Sequence, residues 1–320
     1  MKKLVLVLSG LWLLSISAFP FSFHQEDKIP ENGSIYPDSR FMKIDSVILH
    51  YRVVKPDMSV YKGKVLFIHG FCGSTFNWRN NIDTLVASGY KVVIVDLPGF
   101  GYSSRNLINQ SHSNRARILW DMLRQIDEHD TLRWNIVGHS MGGGVAEAMA
   151  LMEPSRTKSL TIVDGMVFIH NHNIKGAFIT ATKMKGINKT LVSYMKKNMI
   201  TYKNIRRAYR QVYGYPPDSN IVENYLKPLQ IPGTAESIIN MFAYSKEIVT
   251  LDAQNLKGSD VLIIWGKKDR TIYLRTGKLL NKTVPGSTLK IIPECRHSPM
   301  ETHPEKFNLI LLNFLEKNNR

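Results

Sequence analysis

Six short runs of β-branched and aliphatic residues punctuate this chain: "KVLFIHG", "YKVVIVDLPG", "WNIVGHS", "SLTIVDG", "DVLIIWG" and "TLKIIPE". In most of them the apolar residues are consecutive rather than alternating with polar ones. A strand without that alternation is covered on both faces, which is the condition of a parallel sheet between two layers of helices. Helical stretches fill the gaps: "STFNWRNNIDTLVASG", ending at Gly89; "SHSNRARILWDMLRQIDEHD"; Gly142 to Glu153, stopped by Pro154; "TGKLLNKTV"; and "PEKFNLILLNFLEK". Ahead of them, "RFMKIDSVILHYRVV" carries two β-rich runs about Asp45-Ser46 and predicts an antiparallel hairpin. The expectation is an α/β fold with a mostly parallel central sheet and helices on both faces. Its core spans residues 40–167 and 251–320.

The alternation stops over residues 168–250, where no strand is predicted. Apolar residues at Leu191, Met195, Met199, Tyr202, Ile205, Tyr209 and Val212 step by three and four, as one face of a helix does. Lys196, Lys197, Lys203, Arg206, Arg207 and Arg210 mostly fall elsewhere. The segment reads as a helical cap inserted into the core. The whole chain carries a formal net charge of +16. That favours anionic partners, and the basic cap helix is a candidate for an anionic membrane surface. Nucleic acid has only the net charge in its favour and is not expected.

The first 23 residues, "MKKLVLVLSGLWLLSISAFPFSF", have two lysines, an apolar run from Leu4 to Leu14 and small residues up to Ala18. This is the pattern of an export signal, or of an uncleaved N-terminal anchor, since apolar character continues to Phe23. Either reading exports the protein, to a secreted or periplasmic location or to a membrane-anchored one. Residues 24–39, polar with Pro and Gly, read as a linker.

"NIVGHSMGGG" places Ser140 between Gly138 and Gly142, after a strand and before a helix. Strand, G-x-S-x-G, helix is the sharp turn that lifts a nucleophilic serine clear of a sheet edge. The flanking glycines remove side chains that would collide, and the helix N-terminus favours developing negative charge. A serine hydroxyl needs a base. His297, in the loop after the last strand, fits best. Asp269, just past "VLIIWG", is the expected acid, and Asp164, at the end of "TIVDG", is its rival. The amides of Met141, after the nucleophile, and Phe71, in the loop after the first parallel strand, are the expected oxyanion donors. His69-Gly70 brace that loop. His50, His112 and His129 read as surface residues, and His139 as packing.

"HGFCGSTFNW", "DLPGFGYSS", "GHSMGG", "WGKKD" and "RHSPMETHPEKF", in this order over residues 65–310, resemble the α/β-hydrolase fold. More closely, they resemble its capped branch of serine esterases, carbon–carbon bond hydrolases and proline iminopeptidases. The resemblance implies Ser140, Asp269 and His297 as a catalytic triad, Phe71 and Met141 as oxyanion donors, residues 168–250 as the cap, and neither a cofactor nor a metal. Glu301 lies four residues after His297, where relatives often have it five after, and receives no role.

Cys72 lies in the oxyanion loop and Cys295 two residues before His297. In this fold those loops approach each other, so a disulfide between them is one expectation and two buried thiols the other. The leading functional expectation is hydrolysis of a small apolar carboxylic ester through an acyl-enzyme. A carbon–carbon bond hydrolase and, less well supported by the basic cap, a proline iminopeptidase share the machinery. A catalytically idle hydrolase fold used for binding is the non-enzymatic alternative.

Overall fold

A computed structural model describes residues 35–107, 109–127, 131–165, 185–243, 256 and 260–318. The expected hairpin forms: β1 (Ser39–Ile44) pairs antiparallel with β2 (Val47–Val54), and Asp45 takes a positive φ of 53° in the turn. The remaining strands are β3 (Gly63–Ile68), β4 (Tyr90–Val95), β5 (Trp134–His139), β6 (Thr157–Val163), β7 (Asp260–Gly266) and β8 (Thr288–Ile292). Their order across the eight-stranded sheet is β1-β2-β4-β3-β5-β6-β7-β8. Strands β3 to β8 run parallel, and β2 lies antiparallel to β4.

Strand order reverses at β3. The chain goes first to one side, to β4, and then to the other, to β5. Loops leaving the C-terminal ends of β3 and β5 therefore diverge and open a crevice, where ligands bind in sheets of this kind.

Helices α1 (Ile82–Ala87), α2 (His112–Ile126) and α3 (Met141–Met152) belong to the first part of the core. Helices α4 (Lys185–Tyr194), α5 (Tyr202–Tyr213), α6 (Ser219–Leu229) and α7 (Thr234–Ala243) lie between β6 and β7. Helices α8 (Leu274–Thr283), α9 (Pro299–Thr302) and α10 (Pro304–Lys317) complete the second part. Alternate strand residues feed two cores. Val65, Phe67, Val92 and Ile94 pack with Trp78, Leu85 and Phe307, whereas Leu66, Ile68, Val93 and Val95 pack with Ile118, Trp120 and Val145. Around β3 to β7 both faces are dry, which is why those strands read as nearly unbroken apolar runs; β8, last in the sheet, exposes Thr288, Lys290 and Ile291.

Three expectations change in detail. The single helix predicted over 74–89 is a short 3-10 turn, Thr75–Trp78, followed by α1. Ser74 and Asn77 close that turn as a reciprocal capping box. The continuous helical face from Leu191 to Val212 is broken: a π turn, Met195–Met199, ends at Ile200, and α5 starts afresh at Tyr202. Tyr202 is consequently exposed, while Met195 is buried. His50 is fully buried, with its Nδ1 2.7 Å from Asp96 Oδ2, and His112 is half-buried; neither is a surface residue. On α5 the exposed residues Lys203, Arg206, Arg207 and Arg210 step by three and four along one face. No helix among the described residues is long and apolar enough to cross a membrane. His129, the export-signal segment, the boundaries of the predicted cap, and His170 and His172, which open that cap in the sequence and are expected to line the pocket, lie outside the described residues.

Candidate active site

Ser140 sits between the end of β5 and the first residue of α3 with φ 52° and ψ −119°. Few L-residues adopt such a backbone, and it costs on the order of 1–3 kcal/mol. Its flanking glycines explain how the turn closes. A Cβ on Gly138 would lie 2.2 Å from the Gly142 carbonyl oxygen, and one on Gly142 would lie 2.4 Å from the His69 carbonyl oxygen. Both distances are far inside van der Waals contact.

His297 stands opposite. Its Nε2 is 3.0 Å from Ser140 Oγ, and its Nδ1 is 2.7 Å from Asp269 Oδ2. All three side chains are buried or nearly so. Asp269 Oδ1 also accepts from the amides of Thr271 (2.6 Å) and Ile272 (3.2 Å), which hold the carboxylate in place at the tip of the loop after β7. Of the two expected acids, Asp269 is therefore the partner of the ring.

Asp164 lies close by. It directly follows β6 with a positive φ of 43°, is completely buried, and accepts from the Gly266 amide at 2.9 Å. One oxygen of each carboxyl and one ring nitrogen of His297 lie within 4.8 Å of one another. Burial, and then the charge of Asp269, push the Asp164 carboxyl well above the usual carboxylate range.

The loop after β3 leans over Ser140. A Cβ on Gly70 would lie 3.0 Å from Ser140 Cβ. His69 braces this loop as expected: its Nδ1 is 2.7 Å from the Gly70 carbonyl, and its Nε2 accepts from the Leu97 amide at 2.9 Å. Burial holds this ring neutral by lowering its pKa to about 4. Phe71 follows, with its ring half exposed and edge-on to Phe100. Met141 opens α3, so its amide is among the four donors that a helix leaves without an intrahelical acceptor.

Of the two alternatives for the cysteines, the disulfide is not formed: Cys72, half-buried, and Cys295, buried, are both free thiols. Cys295 Sγ instead turns toward the Arg296 carbonyl (3.3 Å) and the Thr302 hydroxyl (3.5 Å), and burial pushes its thiol up to about 12. Burial raises Cys72 as well.

Two contributors escaped the sequence reading. His139, whose place in the sequence suggests only packing, donates from Nε2 to the carbonyl of His297 at 2.7 Å. Glu301, given no role, is a buried hub. Its Oε2 accepts from Arg79 (2.5 Å) and from the hydroxyls of Tyr213 (2.7 Å) and Tyr225 (2.7 Å), while Oε1 accepts from Asn77 (3.2 Å). Tyr213 ends α5 and Tyr225 lies in α6, so one carboxylate ties two helices of the inserted segment to the core. The C-terminal carbonyls of α5 complete the link: Val212 accepts from the His297 amide (3.1 Å) and Gln211 from the Arg296 guanidinium (3.2 Å). No short-range pattern marks either role.

A family model for the alpha/beta hydrolase fold matches residues 64–207. The 2-hydroxy-6-oxononadienedioate/2-hydroxy-6-oxononatrienedioate hydrolase of Escherichia coli (strain K12) is 26% identical over 303 residues, which cover 87% of this chain and 96% of that protein. The meta-cleavage product hydrolase of Pseudomonas fluorescens superposes with a TM-score of 0.67 at 20% identity, over 87% of this chain and 97% of the other. An esterase from Exiguobacterium antarcticum does so with a TM-score of 0.69 at 16% identity, over 86% and 98%.

Proposed function

This chain is an α/β-hydrolase-fold protein, and on that premise we propose that it is a serine hydrolase of small apolar carboxylic esters. The observation that carries the reading is the line of contacts from Ser140 Oγ through both nitrogens of His297 to Asp269. In the ground state the Ser140 hydroxyl donates to Nε2, and Nδ1–H donates to Asp269. As Ser140 Oγ attacks the substrate carbonyl carbon, its proton passes to Nε2. Asp269 keeps the ring in the tautomer that leaves Nε2 free to accept, and stabilises the imidazolium. The oxygen that gains charge lies toward the Phe71 and Met141 amides, with the N-terminus of α3 behind it. His297 then protonates the departing alkoxide. Water, deprotonated by the same ring, releases the acid from Ser140.

The half-exposed Phe71 ring beside the nucleophile favours an apolar substrate group at that point. A second reading has one specific observation behind it. The Escherichia coli relative, matched over nearly its whole length, is a hydrolase of 2-hydroxy-6-oxononadienedioate and 2-hydroxy-6-oxononatrienedioate; in the second reading this chain cleaves a carbon–carbon bond of a vinylogous diketone. Purified protein is assayed against a chain-length series of p-nitrophenyl esters and against a vinylogous 1,5-diketone acid. Ester turnover that depends on Ser140 and outpaces diketone cleavage supports the leading reading; the reverse ranking replaces it. A fluorophosphonate that fails to label Ser140 removes both.

A further inference from the structure

A chain of this architecture needs one acid for its histidine, and this one places two buried carboxyls there. They are not equivalent. Asp269 receives three donors: the His297 ring and the amides of Thr271 and Ile272. Asp164 receives one, from Gly266, and its other oxygen, Oδ2, is buried with no hydrogen-bond partner. Two carboxylates this close in a dry site cannot both hold a charge, and the one with fewer donors keeps the proton. Asp164 is fixed there by its backbone. Its amide donates to the Ile264 carbonyl of the neighbouring strand at 3.0 Å, and its positive φ turns the chain back toward Gly266.

We infer that Asp164 is a neutral carboxylic acid and a positioning residue held in reserve, able to orient His297 when Asp269 carries no charge. With Asp269 present, Asp164 keeps its proton, directed toward the Asp269 carboxylate. If Asp269 becomes a neutral amide, the repulsion disappears. The Asp164 proton can then leave to solvent, and the carboxylate so formed accepts from His297 Nδ1–H. From the present separation, the shift needed to reach hydrogen-bond distance is at most roughly 2 Å.

The inference rests on the serine-hydrolase reading, and the experiment separates the two. Turnover of p-nitrophenyl acetate and fluorophosphonate labelling are measured for the unaltered protein, Asp164→Asn, Asp269→Asn and the double variant, with circular dichroism confirming the fold of each. If the unaltered protein neither labels nor turns over, the functional reading fails. If it does both, Asp269→Asn should retain at least tenfold more activity than the double variant. That remainder should rise with pH through one ionisation that the double variant lacks. Equal rates in the two, with no added pH dependence, overturn the reserve role. The infrared carbonyl band of a protonated carboxylic acid, present in the unaltered protein and lost in Asp164→Asn, reports the proton without any turnover. Identical spectra overturn the neutral acid.

Discussion

The carbonyl oxygen of His297 accepts a hydrogen bond from the ring of His139, the residue immediately before Ser140. The turn that carries Ser140 thus grips the backbone of the histidine whose ring faces the Ser140 hydroxyl. Burial, and then the proximity of His297, hold the His139 ring well below the ordinary histidine range, so it is a neutral donor through Nε2. His139→Ala should reduce kcat by about 10- to 100-fold with little change in KM, the cost of a displaced base. His139→Gln, whose Nε2 can reach a similar position, should recover most of that loss. Steady-state kinetics of the two variants check this; equal defects would mean the ring only fills space.

Glu301 binds the inserted helices to the core through Tyr213 and Tyr225. Burial, and then the carboxylate, raise both phenols, so they remain donors. A hydrogen bond to a buried charge contributes about 1.5–3 kcal/mol. A double-mutant cycle of Tyr225→Phe with Glu301→Gln should give a coupling energy in that range by urea unfolding. It should also lower kcat/KM, because α5 carries the Val212 carbonyl that holds the His297 amide. A coupling near zero would mean that Glu301 does not stabilise the docking of α5 and α6.

The main parts of this site were legible because they are local or follow from topology. G-x-S-x-G between a strand and a helix encodes its own geometry, and an acid and a histidine at the ends of late parallel strands must face the same crevice. What could not be read depends on long-range packing. Glu301 meets Arg79 across 222 positions and Tyr225 across 76. Lys64, the first residue of "KVLFIHG", is buried and bound to Asp127, 63 positions away. His50 looked like a surface residue until Asp96 closed on it. The break at Ile200 interrupts a face whose spacing alone predicted one helix. The disulfide expectation assumed only that two loops approach; it could not foresee that the Cys295 thiol turns toward Thr302.

The backbone at Ser140 stores strain for the sake of its hydroxyl. Ser140→Ala keeps a Cβ at φ 52°, whereas Ser140→Gly does not. Ser140→Gly should therefore be more stable than Ser140→Ala by about 1 kcal/mol, although glycine gains entropy when unfolded, and both should be inactive. Thermal denaturation of the two inactive proteins isolates the backbone term. If the alanine variant is the more stable, the turn is unstrained.

Acid should destabilise this protein through its buried histidines, against the opposite contribution of the raised Asp164 carboxyl, which favours the folded state as pH falls. Burial lowers the pKa of His69 to about 4 and that of His112 to about 3, and it lowers His139 as well. Each therefore takes up a proton more readily when unfolded, where the ordinary value is about 6.5. A depressed folded-state pKa gives stability that is present above the unfolded value and is lost as pH falls toward the folded one. His69 alone should remove about 2 kcal/mol between pH 7 and pH 5, at roughly 1.36 kcal/mol per unit. The urea midpoint should accordingly fall over that interval, and His139→Gln should fall less steeply, having one fewer buried ring to charge. A fall in His139→Gln as steep as in the unaltered protein would show that the His139 ring is charged in the folded protein, and that the grip on His297 does not rest on a neutral imidazole.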